Sequence, residues 1–421
     1  MLPAAEAERL IFSLVSSIET VEKLALETPA AAAASLGRVL AQPVTSALDF
    51  PHWDNSAMDG YAVRAADVQA VPVQLSVVEE IPAGRSPQKS VKAGQAARIL
   101  TGAMLPAGAD TVVMQEETAR QGDQVTILAR PEAGSFVRRQ GSFTTVGTQI
   151  LAAGRAIASP EIALLAAAQQ TEISVYRRPR VAILSTGSEL VRPDQPLRSG
   201  RIVDSNQYAL TALVAKTGAV PIPLGIVPDD REQVKAAIAS AVDQADIVLS
   251  TGGVSVGDYD YVDQVLGELG ATLHIRTVAV KPGKPLTVAT FDELELSKPE
   301  LGEPEGSRLY FGLPGNPASA MVGFWRFVEP AIAKLSGRKG PWTPEFVIAR
   351  AAAELTAGGG RETYLWGQLS MDEAGYCFTP AKGGHNSGNL VNLVNTSGLG
   401  VVPQGETKID IGEPVRALKI R

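Results

Sequence analysis

The stretch VAILSTGSEL, residues 181–190, decides the fold: an unbroken apolar run that stops in a glycine turn. Such a run, bounded by a turn, reads as a strand buried on both faces. The grammar recurs in DIVLSTGGVSVGDYD, 246–260, and in RLYFGLPGNP, 308–317. Helical stretches lie between the strands. Residues 204–217, DSNQYALTALVAKT, begin on an Asp/Ser/Asn cap. Others run from 229 to about 243, over 261–269 and over 316–336. AVPIPLGIV, LHIRTVAV and PLTVATF add further strands. Strand–helix alternation with continuous apolar strands predicts an α/β domain with a doubly wound, mainly parallel sheet.

Outward from that core the grammar changes. Residues 6–27 read as one amphipathic helix, with Leu10, Leu14, Ile18 and Val21 at helical spacing beside Ile11 and Val15. Residues 43–150 carry short β-branched runs (VPVQLSVVEEI, TVVMQEET, QVTILAR) separated by Gly and Pro, which predicts a small β-rich domain. Residues 151–175 return to a helical pattern in SPEIALLAAAQQ, with Ser159 as cap and Pro160 at the first helical position. The acidic stretch 292–308 reads as a solvated insertion between two strands. Beyond Pro341 the chain is β-like again.

Composition bounds the function. With 421 residues, 45% hydrophobic and 20% charged, the chain is globular and long enough for two to four domains. The net charge of −7 speaks against a general nucleic-acid binder. A single cysteine, Cys377, builds no intrachain disulfide framework. The first residues carry Glu6 and Glu8 and no long apolar run, so neither a signal peptide nor a membrane span is expected, and the expected location is the cytoplasm.

In an open parallel sheet, ligands bind beyond the carboxyl ends of the strands. Ser185, Thr186, Gly187 and Glu189 stand at one such end, and Ser250, Gly252, Gly253, Ser255, Asp258 and Asp260 at the next. Pro314, Gly315, Asn316 and Pro317 follow a third strand and open a helix. Hydroxyls and flexible backbone at one edge suit a phosphorylated or anionic ligand. There is neither a G-x-x-x-x-G-K-[ST] nor a G-x-G-x-x-G motif, which disfavours a P-loop NTPase or an ordinary dinucleotide enzyme. The histidines His52, His274 and His385 are too widely spaced for a zinc pattern. Carboxylates beside a phosphate site imply Mg²⁺, which makes Glu189, Asp229 and Asp260 candidate ligands. For Asp229 and Asp230 a helix N-terminus is an equal alternative. Lys281 and Lys284, in KPGKP, read as an oxyanion site or as a solvated loop. HWDNSAMDGYAVR, 52–64, and RILTGAMLPAGAD, 98–110, are dense motifs in the β-rich region.

NSAMDGYAV, LTGAMLPAGAD, STGSEL, STGGVSVGDYDY, KPGKP and GLPGNP occur in this order. Together they resemble the MoeA family of molybdopterin molybdenumtransferases, related to the E domain of gephyrin, over essentially the whole chain. The resemblance implies four domains: a discontinuous helical N-terminal domain (1–42 and 148–176), an inserted β-rich domain (43–147), an α/β molybdopterin-binding domain (177–338) similar to the molybdopterin adenylyltransferase fold, and a C-terminal β-domain (339–421). It implies a homodimer with the site shared between subunits. The molybdopterin adenylyltransferase and recipient molybdoenzymes are the other partners it suggests. The implied reaction transfers molybdenum from molybdate to the dithiolene of adenylated molybdopterin, releasing AMP with Mg²⁺ present.

Carried over by motif, Asp59 and Thr101 lie on the N-terminal side of the site. Glu189, Asp229, Asp260, Lys281, Pro314 and Pro317 lie on the α/β side, and Arg361 (GGRETY) and Ser387 (HNSGNL) come from the C-terminal domain. Two positions depart from the family pattern. Phe143, in RRQGSFTT, stands where the family usually has an acid. Thr277 stands where a basic residue is frequent, and its neighbour Arg276 would compensate only in a bulged or shifted strand. A non-catalytic, cofactor-binding carrier or scaffold is the competing reading, and AMP release discriminates the two. Adenylyl transfer by the α/β domain is a third, marked by ATP consumption.

Overall fold

Alternate residues of the strand Arg180–Thr186 (β1) enter different cores, which is the mark of a sheet covered on both faces. Val181 and Ile183 pack in one apolar cluster, and Ala182 and Leu184 in another. The same division holds along Ile247–Thr251 (β3), where Ile247 and Leu249 oppose Val248. The computed structural model describes residues 1–253, 262–292 and 306–420.

The remaining strands are Val220–Val227 (β2), Thr272–Thr277 (β4), Pro285–Phe291 (β5) and Arg308–Leu313 (β6). Their order across the sheet is β2-β1-β3-β6-β5-β4. The first three pairings are parallel; β6–β5 and β5–β4 are antiparallel. Helix α1 (Asn206–Lys216) contributes Leu210 and Val214 to the first cluster. Helices α2 (Arg231–Gln244) and α3 (Val262–Glu268) supply Val234, Ile238, Val265 and Leu266 to the second. A continuous helical run follows β6: α4 (Pro317–Gly323), a π-helical turn (Phe324–Val328) and α5 (Glu329–Leu335).

The C-terminal segment is a closed barrel. Strands Phe346–Ala351 (β7), Glu362–Asp372 (β8), Gly375–Pro380 (β9), Gly398–Val402 (β10) and Pro414–Lys419 (β11) pair in the cycle β8-β9-β7-β11-β10-β8. Closure leaves no free edge within that cycle. The two-residue strand Val280–Lys281 lies parallel to the start of β8.

The helix expected over 6–27 is corrected. It spans only Ala4–Leu14, and Val21–Ala25 is a strand paired antiparallel with Glu172–Tyr176. Val21 and Leu24 satisfy a helical spacing, but the partner strand lies far along the chain and captures them. The same pairing shortens the helix expected over 151–175 to Ser159–Ala167.

The chain divides into two compact units, residues 1–42, 153–162 and 172–421, and residues 43–152 and 163–171. Everything above belongs to the first, apart from the later residues of Ser159–Ala167. The second holds a six-stranded sheet with Gly60–Val63 next to one edge, between the edge strand Thr111–Met114 and Gln95–Ile99. A Cβ on Gly60 would lie 1.9 Å from the Val113 carbonyl oxygen, so only glycine fits there. No helix among the described residues is long and apolar enough to cross a membrane.

Candidate functional site

Beyond the carboxyl ends of β1, β3 and β6 the first unit opens a cavity of about 1240 Å³. That is roomier than the ~300–1,000 Å³ usual for a small-ligand pocket. Thr186, Gly187, Glu189, Asp229, Gly252, Gly253, Lys281, Lys284, Pro314, Gly315, Asn316, Pro317, Arg361 and Ser387 all line it. The structure therefore brings most of the residues singled out in the sequence to one place.

The turns are shaped by close backbone approach. Gly252 has φ +89°, and a Cβ there would sit 2.3 Å from the Thr186 carbonyl oxygen. The Gly252 amide donates to the Leu313 carbonyl at 3.3 Å, tying the β3 turn to the end of β6. The PGNP turn is held by the Asn206 side chain, whose Nδ2 donates to the Gly315 carbonyl at 2.8 Å. The first free amide of α4, on Ala318, donates to the Ser387 carbonyl at 3.0 Å. That amide is thereby spent inside the protein, while residues 314–317 and Ser319 still line the cavity.

One wall is cationic. Lys281 pairs in register with Thr363, and Arg361 Nη1 donates to the Val280 carbonyl at 3.2 Å. Lys281, on one strand, and Arg361, just before the adjacent one, are thus brought together although distant in sequence. The opposite chemistry comes from the β1 turn. The Ser188 amide donates to Asp229 Oδ2 at 2.9 Å, and the Asp229 amide donates to Ser188 Oγ at 3.0 Å. The Glu189 carbonyl accepts from the Ile202 amide at 3.0 Å, whereas its carboxylate accepts no hydrogen bond among the described residues and folds back over Gly187. Asp230 caps α2, its side chain accepting from the Gln233 amide at 2.9 Å; the structural alternative for this residue is the observed one.

Two expected residues are not brought to the cavity. Ser185 and Ser250 are buried in the strands, with Ser185 Oγ accepting from Thr251 Oγ1 and Ser250 Oγ paired with the Tyr310 hydroxyl. Strand alternation turns them into the sheet. Ser255, Asp258 and Asp260 lie outside the described residues. Arg276 does not reach the cavity: the strand is irregular around Ile275 and Thr277, but Arg276 Nε donates to Asp263 at 2.7 Å. His385, Asn206, Thr356 and Thr363 line the cavity and were not picked out as site residues in the sequence. Burial lowers the His385 pKa, and its Nε2 donates to the Trp366 carbonyl at 2.9 Å. Its place two residues before Ser387 is the only signal that could have found it.

In the second unit, Asp59 Oδ1 accepts from both the Thr101 amide and the Thr101 hydroxyl, each at 2.7 Å. The hydroxyl bond, then the amide bond, holds the exposed Asp59 carboxyl below its ordinary pKa. Phe143 is 73% exposed, an unusual setting for an aromatic ring.

Known proteins share this organisation. Residues 2–168 match the MoeA N-terminal region (domain I and II), residues 182–334 a probable molybdopterin binding domain, and residues 348–420 the MoeA C-terminal region (domain IV). A molybdopterin molybdenumtransferase of Nostoc sp. is 52% identical over 99% of this chain and 93% of its own length. One from Haemophilus influenzae is 35% identical over 90% of each. The crystal structure of a molybdopterin biosynthesis MoeA protein from Pyrococcus horikoshii covers all of both chains at a TM-score of 0.81 and 28% identity. Matches running from one end of the chain to the other, at this identity, mean that it belongs to the MoeA family, the molybdopterin molybdenumtransferases of molybdenum cofactor biosynthesis.

Proposed function

We propose that this chain transfers molybdenum from molybdate to the dithiolene of adenylated molybdopterin and releases AMP. One observation carries the reading. Lys281, Lys284 and Arg361 share a cavity with Glu189, Asp229 and the backbone turns at three strand ends. A tetrahedral oxyanion needs fixed cations, and a pyrophosphate needs close backbone donors.

Lys281 and Arg361 hold molybdate beside the dithiolene. The turns at Gly252–Gly253 and PGNP follow the pyrophosphate. Cleavage adds water across the pyrophosphate bond, so that AMP leaves and a monophosphate stays on the pterin. Arg361 and the lysines offset the charge that grows on the bridging oxygen.

Mg²⁺ fits the donor set. It is usually held by one or two carboxylates together with substrate phosphate oxygens rather than by a full protein cage. Among the described residues no group of three or more ligating side chains is assembled. Glu189 is free to bind and Asp229 stands beside it in the same cavity. These two, with Asp260 outside the described residues, would hold the ion. When bound it would screen the phosphates and make AMP a better leaving group.

The reading extends to a cytoplasmic homodimer in which Asp59 and Thr101 of one subunit complete the site of the other. The supplying adenylyltransferase and the recipient molybdoenzymes are its further partners. The four-domain division by residue number set out under Sequence analysis is part of the same reading. The test is AMP release by the purified protein from adenylated molybdopterin, with and without molybdate and Mg²⁺. Molybdate-dependent release is expected. Tight binding with no release would replace this reading by that of a carrier, for which the exposed Phe143 is the specific support.

A further inference from the structure

Two long-range connections meet at the cationic wall, and both start in the same short segment. The first is a backbone ladder. Leu2 forms a parallel bridge with Val278: its amide donates to the Thr277 carbonyl at 3.1 Å, and its carbonyl accepts from the Ala279 amide at 2.8 Å. The ladder continues outward, since the Glu362 amide donates to the Ala279 carbonyl at 2.9 Å. The second connection is a chain of side chains. Glu8 pairs with Arg326 Nη1, Arg326 Nε donates to the Tyr364 hydroxyl at 2.9 Å, and that hydroxyl donates to Glu362.

This chain of contacts is poorly explained as a stability device. Arg326 is 3% exposed and Glu8 14%, so both charges are largely desolvated, and a buried ion pair is weak support for stability. Arg326 sits in a π-helical turn, a distortion that recurs at functional sites. The period of the strand then decides what is being held. Glu362 and Tyr364 lie on one side of β8 and Thr363 on the other, beside Lys281, while Arg361 immediately precedes the strand and lines the same cavity as Lys281. The helix Ala4–Leu14 is itself fixed by Ala4, Ala7 and Ile11 in the main core.

We infer that the segment from Leu2 to Glu8 is a positioning brace that sets the separation of Lys281 and Arg361. The inference rests on the reading that these two cations hold the oxyanion. One arm of the brace aligns the strand that carries Lys281. The other aligns the strand that follows Arg361. Leu2, Glu8 and Arg326 are not part of the cavity lining; Tyr364 borders the cavity, but its side chain is fully buried and its hydroxyl is engaged by Arg326 and Glu362, so all four act through others.

The test uses the full-length protein with Tyr364→Phe, which keeps the buried ring and removes the hydroxyl, and with Glu8→Gln, which keeps the shape and removes the charge. AMP release is followed while molybdate and adenylated molybdopterin are varied separately, and thermal midpoints are recorded. The expected result is a rise of about tenfold in the KM for molybdate with the KM for adenylated molybdopterin within about twofold of wild type. The double variant should be little worse than Tyr364→Phe, because both interrupt one chain of contacts. Lower midpoints with both KM values unchanged, in either variant that folds, would overturn the brace and leave a structural contact. If the wild-type protein releases AMP without regard to molybdate, the reading beneath the inference fails and the brace fails with it.

Discussion

The Lys281–Arg361 wall and the Asp59 turn both present charge, but they hold it by different means. At the wall, two strands distant in sequence are clamped by a ladder and by a buried ionic chain that reaches back to Glu8. At the turn, one threonine supplies both hydrogen bonds to the carboxylate. The wall is fixed by long-range structure and the turn by local chemistry. It follows that single substitutions at the turn should alter ionisation without altering the fold, whereas the wall couples to distant residues.

The comparison breaks most severely at Gly60. Gly60→Ala puts a Cβ against the Val113 carbonyl, next to Asp59. The expected cost exceeds about 4 kcal/mol, enough to unfold the second unit. Circular dichroism and solubility would register it. A soluble, cooperatively melting Gly60→Ala protein would mean that the turn does not depend on this sheet contact.

Arg361→Ala comes next. Release of AMP should fall by roughly 10²–10³-fold at fixed molybdate, as on losing one preorganised charged donor, with little change in thermal midpoint. A loss below about threefold would remove Arg361 from the wall's chemistry.

Thr101→Val sharpens the contrast. A carboxyl held below its ordinary pKa keeps its charge as pH falls. Losing the hydroxyl returns Asp59 toward the ordinary value, so the acid limb of the pH–rate profile should move to higher pH. At neutral pH the rate should drop by about tenfold or less, with the midpoint unchanged. An acid limb that stays where it was would show that Asp59 ionisation does not govern it. The smallest effect is expected for Ser188→Ala, which breaks one half of the Ser188–Asp229 exchange. The Mg²⁺ concentration for half-maximal AMP release should rise about threefold, as on losing one hydrogen bond near a ligand. Unchanged Mg²⁺ dependence would separate Asp229 from the metal.

The sheet and its turns were legible because burial on both faces writes itself as continuous apolar runs. Val181–Leu184 and Leu309–Leu313 are examples. The motifs at their ends then placed Glu189, Gly252 and Asn316 in one cavity. What was not legible depends on partners far along the chain. Val21–Ala25 looks helical until Glu172–Tyr176 pairs with it. The antiparallel edge formed by β4 and β5 has no local signature either. Ser185 and Ser250 read as ligands because hydroxyls at strand ends usually face solvent, yet strand alternation turns both inward. Arg326, inside FWRFVEP, was an isolated charge in an apolar run, and that oddity was the available sign of the chain from Glu8 to Glu362.

The bridge between Leu2 and Val278 also has a consequence in time. Leu2 is synthesised long before Val278, and Glu362 later still. At ~5–20 residues per second the earlier segment waits on the order of tens of seconds for its neighbours. During translation the helix Ala4–Leu14 therefore has a buried face and no core to enter. The cationic wall closes only near the end of synthesis, so a chain stalled before Arg361 lacks one of its cations. Ribosomes paused between Val278 and Arg361 would carry chains that already contain both partners of the Leu2 bridge but only one side of the wall.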